Sequence, residues 1–287
     1  MGRMFDHRLT LRAPKLPAFV IAYQPIIDAT HQRIVAYEAL TRSPSGLSYP
    51  QLIAGMDLAT LHAFHRATAA QAVRRAAELG IAALNASLSI NLQPDLADEA
   101  LNADYLLGVA LECGLSPGTI LLELTEDHKL TLPHLRQLLA RNHAAGFCTA
   151  VDDFGAGYSG LTMLVDCRPE LLKLDRGLIR GIDHSDPRQR IVAAFVNICE
   201  SMQITLVAEG VETEAECAML RHLGIDYMQG YLFSHPVVDQ LPQLSNLSPL
   251  PLADPATRKP GIPAMARWLC GPRHGEGYAD LGSTLPA

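Results

Sequence analysis

Eight short runs of apolar and β-branched residues recur along this chain, and most are separated by segments of helical periodicity. The runs lie at 19–26, 34–40, 86–92, 119–125, 147–153, 171–175, 204–210 and 225–230. Amphipathic stretches from Asp57 to Leu79, Leu132 to Ala145, Pro187 to Met202 and Glu214 to Leu223 fall between them. Gly80, Gly146 and Gly224 stand where helix C-terminal caps belong. Strands alternating with helices predict a parallel α/β fold, and eight of them suit a TIM-type (β/α)8 barrel better than a six-stranded open sheet. The first two runs are too close for a helical crossover, so the barrel is expected to start irregularly, with one antiparallel strand.

The barrel is expected over residues 18–242, after an N-terminal arm at 1–17. Prolines crowd the sequence after Pro236, and residues 243–287 read as an irregular Pro-rich tail. No run is long enough for a membrane span, and the start lacks the apolar core of a secretory signal. The six cysteines are scattered without a C-x-x-C, which indicates neither a zinc knuckle nor a disulfide framework and suits a reduced cytoplasm. A formal charge of −7 argues against binding to DNA or RNA polymers, which requires Lys and Arg to displace counterions.

The polar residues near the ends of these runs are the main functional signal. Glu38 belongs to the second, Asn91 to the third, Glu123 to the fourth, Asp152 and Asp153 to the fifth, Lys173 to the sixth, Glu209 to the seventh and Gln229 to the eighth. In a barrel, all point toward the C-terminal mouth, where active sites of this architecture are built. Five carboxylates gathered there repel one another, by about 4 kcal/mol for two unit charges 4 Å apart at an effective dielectric near 20. Bound cations remove that difficulty. Carboxylates with an amide oxygen are hard ligands, which suits Mg²⁺ or Mn²⁺ rather than zinc, and they suffice for two ions sharing an aspartate. Such a pair serves in-line displacement at phosphorus, so phosphodiester hydrolysis is the expected reaction class.

Gly155, Gly157 and Gly160 also fit G-x-G-x-x-G, the turn of dinucleotide-binding folds. Asp152 and Asp153 stand immediately before it, where a pyrophosphate would meet negative charge. The glycines are therefore read as shaping a loop beside a metal-binding strand end. His62 and His65 are three apart on an expected helix and are read as surface or interface residues.

These residues resemble the EAL-domain family of cyclic di-GMP phosphodiesterases. The matching motifs are YQPI at 23–26, Glu38-Ala39-Leu40 within YEALTR, SINLQP at 89–94, LELTE at 122–126, DDFGAGYSGL at 152–161, KLD at 173–175, AEGVET at 208–213 and QGYLFS at 229–234. The resemblance implies hydrolysis of cyclic di-GMP to linear pGpG by water activated on Mg²⁺ or Mn²⁺, with two ions per site. Glu38, Asn91, Glu123 and Asp152 would be direct metal ligands, with Asp152 shared, and Asp153 would complete the coordination of the second ion. Glu209 would hold a metal or its water, and Lys173 would contact the attacking water and the phosphate, supported by Gln229. Gln24 and Arg42 would contact substrate, Glu126 would anchor the loop from Asp153 to Gly160, and Glu212 would support the site from behind.

In the family that loop also links catalysis to dimerisation, so a homodimer is expected, with an upstream sensor or regulatory partner left unidentified. Ala156 and Gly160 replace hydroxyl residues common in the loop, while every ligand position is kept. Two other readings stay open at this point: a receptor module that binds cyclic di-GMP without hydrolysing it, and an enolase-type barrel with Lys173 as base.

Overall fold

The computed structural model describes residues 15–92, 99–125, 132–156 and 162–247. The chain opens with an antiparallel pair, β1 (Val20–Asp28) and β2 (Arg33–Arg42), followed by the helices α1 (Tyr49–Ile53) and α2 (Leu58–Glu78). Strands and helices then alternate: β3 (Ser87–Asn91), α3 (Glu99–Glu112), β4 (Ile120–Thr125), α4 (Leu132–Ala144), β5 (Cys148–Phe154), α5 (Thr162–Cys167) and β6 (Leu171–Leu174). After the short α6 (Arg176–Ile179) come α7 (Asp186–Met202), β7 (Thr205–Ala208), α8 (Glu214–Leu223), β8 (Tyr227–Met228) and β9 (Val237–Val238).

Strands β2 to β8 pair in sequence, all parallel, and β1 closes the barrel by pairing antiparallel with both β2 and β8. The expected barrel and its reversed strand are both present. Gln24 lies opposite Glu38 in the β1–β2 register, so the N-terminal half of β1 stands at the mouth, where the parallel strands end. The two-residue β9 adds to β1 through Val237 and Val238, opposite Tyr23 and Ala22. It lies within the expected barrel range 18–242 but is not among the eight runs, because two residues are too few to show a period.

The chain stays anchored beyond β9. Leu241 is buried in the outer core, and the Tyr37 hydroxyl donates to the Pro242 carbonyl at 2.8 Å.

Two apolar layers clothe the barrel. One packs α2, α3 and α4 on β1 to β4 around Val73, Leu106, Leu122 and Leu138. The other packs α5 to α8 on the remaining strands around Leu172, Val192, Val211 and Leu220.

Local signals fix the helix ends. The Asp57 carboxylate accepts from the Thr60 N–H at 2.7 Å to start α2. Thr213 and Glu216 form a reciprocal capping box at the start of α8, and Gly224 ends that helix at φ 101°. No helix among the described residues is long and apolar enough to cross a membrane. Cys113, Cys199 and Cys217 are free thiols, whereas Cys148 is disulfide-bonded, a bond that the spacing of the cysteines does not announce.

Candidate active site

Side chains alternate across a strand, so every second residue enters the barrel. A middle layer of Ile26, Ala36, Leu121, Ala150, Leu171, Val207 and Tyr227 fills the interior. Two residues toward the mouth, the same alternation brings in Gln24, Glu38, Glu123, Asp152, Lys173, Glu209 and Gln229. An apolar floor thus supports a polar layer to which strand after strand contributes. Glu38 is at mid-strand, since β2 runs on to Arg42.

Lys173, with no exposed surface, occupies the centre of that layer. Its Nζ is 2.5 Å from Glu209 Oε1, 3.0 Å from Glu123 Oε1, 3.1 Å from Asp152 Oδ1 and 3.4 Å from Glu38 Oε2. Amides and a hydroxyl complete the network. Asn91 Nδ2 donates to Glu38 Oε1 at 2.9 Å and Gln229 Nε2 to Glu38 Oε2 at 2.7 Å. Ser89 Oγ donates to Glu123 Oε1 at 2.6 Å. Gln229 Nε2 also lies 3.0 Å from Gln24 Oε1, and Gln24 Nε2 bonds the Ser234 carbonyl, which ties the reversed strand to the loop after β8.

Strict alternation would send the neighbours Asp152 and Asp153 to opposite faces. Asp153 instead has φ 54°, in the left-handed region, and the β5–β6 register shifts between Val151 and Phe154. Such a conformation is uncommon for a non-glycine residue and clusters at functional sites. Here it turns both carboxylates to the mouth. Oxygens of Asp152, Asp153 and Glu209 come within 4.8 Å of one another, as do those of Glu38, Glu123 and Asp152. Asp152 belongs to both groups.

The electrostatics follow from packing charge in a dry interior. Burial alone would strip the Lys173 proton, but Asp152, Glu123, Glu209 and Glu38 outweigh it and hold its pKa well above that of an ordinary lysine. Burial also raises the Glu38 carboxyl, yet Lys173, Gln229 and Asn91 bring it below the usual value. Glu123 is pushed up to about 8, by burial first, with Lys173 opposing and the charges of Glu38 and Asp152 adding. Burial likewise drives Glu209 well up, and it brings Asp153 to about 6 with help from Asp152. One ammonium does not neutralise this many carboxylates.

Two observations test whether cations fit here. Glu123 Oε2 and Asp152 Oδ1 are buried without a hydrogen-bond donor; Lys173 Nζ is close to the latter but off the hydrogen-bonding axis. All the convergent acidic donors are oxygens. Buried acceptors lacking donors, in an oxygen-only set with surplus negative charge, match hard divalent ions. Five carboxylates less one ammonium leave a charge that two such ions balance.

At the rim, the exposed Arg42 bonds only its neighbour's carbonyl, Thr41, among the contacts of its guanidinium described here. Arg42 and Asn91 border a cavity of about 250 Å³ whose far wall is Tyr49 and His65. The Tyr49 hydroxyl and His65 Nε2 lie 2.7 Å apart, which places His65 on that wall and gives it a partner other than His62. Behind Glu209, Glu212 pairs with Arg176 at 2.6 Å. Glu126, Gly157 and Gly160 lie outside the described residues, as do residues 1–14 and 248–287.

Ser89, Tyr49, His65 and Arg176 were not singled out as site residues by the sequence reading. Ser89 was detectable, because it stands two residues before Asn91 and shares its face. Arg176 and the Tyr49–His65 pair depend on contacts between separate elements, for which the sequence offers no spacing rule.

The sequence matches the EAL domain family over residues 9–236. The chain belongs to the EAL domain family. This EAL domain is 32% identical over 230 residues to the blue light- and temperature-regulated antirepressor BluF of Escherichia coli, covering 78% of this chain and 56% of BluF. It is 30% identical over 247 residues to PdeN of Escherichia coli, named a probable cyclic di-GMP phosphodiesterase, covering 82% of this chain and 46% of PdeN. The manganese and cyclic di-GMP complex of BlrP1 from Klebsiella pneumoniae superposes with a TM-score of 0.73 at 37% identity, covering 79% of this chain and 58% of that one. The EAL domain therefore spans about half the length of the curated relatives it matches.

Proposed function

We propose that this EAL domain hydrolyses cyclic di-GMP to linear pGpG in a reaction dependent on Mg²⁺ or Mn²⁺. The observation that carries the reading is that Asp152 is common to two carboxylate groups, Glu38–Glu123–Asp152 and Asp152–Asp153–Glu209. Those residues, with the Asn91 amide oxygen, would hold a pair of ions. Bound there, the ions supply Lewis acidity toward a phosphoryl oxygen and make a water molecule more acidic.

The chain's own side chains account for the rest. Arg42 offers a guanidinium fork to a phosphate at the rim. Gln229, held in turn by Gln24, donates to the Glu38 carboxylate and limits its rotation. Lys173 sets a fixed positive charge beside the place where negative charge grows as water attacks phosphorus. Glu209, the least buried of the four carboxylates around Lys173, is positioned to take the proton of that water. One P–O bond forms to water oxygen and one breaks to the ribose oxygen, which leaves with a proton and opens the ring.

Homodimerisation, implied by the resemblance through the loop after Asp153, belongs to the same proposal. The purified chain is incubated with cyclic di-GMP in Mg²⁺, Mn²⁺ or EDTA, and pGpG is followed by chromatography. Product with either metal and none in EDTA is expected; no product under either metal refutes the proposal.

A second reading rests on BluF, whose name is that of an antirepressor, within the same family. A domain acting as a receptor would bind cyclic di-GMP in EDTA and leave it intact once metal is restored.

A further inference from the structure

Lys173 faces more carboxylates than it can satisfy. An ammonium has three N–H donors, whereas oxygens of Glu38, Glu123, Asp152 and Glu209 all lie 2.5–3.4 Å from its Nζ. The neutral groups nearby are already committed: Asn91 and Gln229 to Glu38, and Ser89 to Glu123. Among the described residues, no other cationic side chain is paired with these four carboxylates. Glu123 Oε2, on a side chain 1% exposed, has no donor at all.

Packing four carboxyl groups together in a barrel interior is unfavourable without a cation among them, because taking charge out of water is repaid only by close, well-matched partners. Lys173 enters from β6 on the same inward face as Leu171, so folding of the barrel itself delivers the ammonium to the centre.

We propose that Lys173 has a second task beside its contact with the reaction: it is the built-in counter-ion that lets this barrel fold before divalent metal is bound. The negative charge it leaves unbalanced is what the metal ions then neutralise. Without Lys173, folding becomes dependent on metal. This rests on the metal-binding part of the proposed function and not on the substrate, so the test below contains no nucleotide. Its failure would leave hydrolysis of cyclic di-GMP to be judged by pGpG formation alone.

Thermal unfolding of the full chain is measured in EDTA and in saturating Mn²⁺ for the wild type, Lys173→Met, Glu209→Gln and the double variant. Removing one partner of a buried ion pair is expected to lower the Tm of Lys173→Met in EDTA by on the order of 10 °C. Mn²⁺ should raise the Tm of Lys173→Met by more than it raises that of the wild type.

Glu209→Gln supplies the sharper readout. With Lys173 present it removes a partner of the ammonium and lowers Tm; with Lys173 absent it removes an acidic group that has lost its cation and raises Tm. That reversal of sign supports the proposal. A Lys173→Met protein as stable in EDTA as the wild type overturns it, and so does a double variant no more stable than Lys173→Met. Should Lys173→Met fail to fold in either buffer, the double variant decides: recovery of a cooperative transition supports the proposal, and continued failure overturns it.

Discussion

Ser89 and Glu123 meet inside the barrel, with the serine hydroxyl 2.6 Å from Glu123 Oε1 and both side chains buried. The bond fixes one oxygen of the carboxylate and leaves the other, Oε2, buried without a donor. Partners of this kind orient metal ligands, and losing one lowers metal affinity by about 10- to 100-fold. Ser89→Ala is expected to fall in that range in a calorimetric Mn²⁺ titration, with turnover recovering at high metal. Unchanged affinity would show that Glu123 is oriented by its packing alone.

Asp152 and Asp153 are adjacent, yet their substitutions should differ. Asp152 is a member of both carboxylate groups and Asp153 of one. Asp152→Asn is expected to lower metal-dependent hydrolysis by more than about 100-fold, beyond what loss of a supporting partner costs, and to reduce the metal bound per chain at both positions. Asp153→Asn should keep one ion. Metal content after equilibrium dialysis distinguishes the two, and equal losses would rule out Asp152 as the shared ligand.

Gly230 follows Gln229 where two backbones nearly touch. A Cβ at this position would lie 2.0 Å from the Val211 carbonyl oxygen and 2.4 Å from its nitrogen. Val211 is also bonded to Gln229 and Leu232 through the main chain, so it cannot step aside. Gly230→Ala is expected to cost about 3 kcal/mol, at the upper end for overpacking. A lower urea midpoint with an unchanged slope would register this, and a midpoint equal to the wild type would contradict it.

Glu216 provides a pH signature. Burial raises its carboxyl, but N–H donors of Gly181 at 2.8 Å, Glu212 at 2.9 Å and Thr213 at 3.1 Å outweigh burial and hold its pKa below the ordinary 4.5. A pKa that is lower folded than unfolded means the ionised carboxylate stabilises the fold above 4.5, and that this is lost as pH falls through the depressed value. Glu216→Gln should be less stable than the wild type by about 1–2 kcal/mol at neutral pH. Denaturant unfolding across a pH series should show the gap closing below 4.5; a gap independent of pH would mean that the carboxylate charge contributes nothing.

Much of the barrel is legible in the sequence because its two signals are local. Period-2 alternation marks Glu38, Glu123, Asp152 and Lys173 as sharing a face with the apolar floor, and helix caps such as Gly80 and Gly224 punctuate the repeats. The less legible parts come from contacts between distant segments. Alternation gives no hint that Asp153 adopts positive φ, because the kink is needed only once Glu209 is opposite. The pairing of β9 with β1 depends on a two-residue stretch that has no period, and Arg176 reaches Glu212 only after α6 and the loop beyond β7 have come together.

The direction of β1 has a practical consequence for anyone attaching something to this molecule. A polypeptide leading into Val20 reaches the lip of the acidic well, beside Gln24, instead of the opposite floor where a wholly parallel barrel would receive it. A tether or reporter joined there would share space with the proposed nucleotide substrate. The quiet surface for a handle is the underside, near the hairpin that joins Asp28 to Arg33.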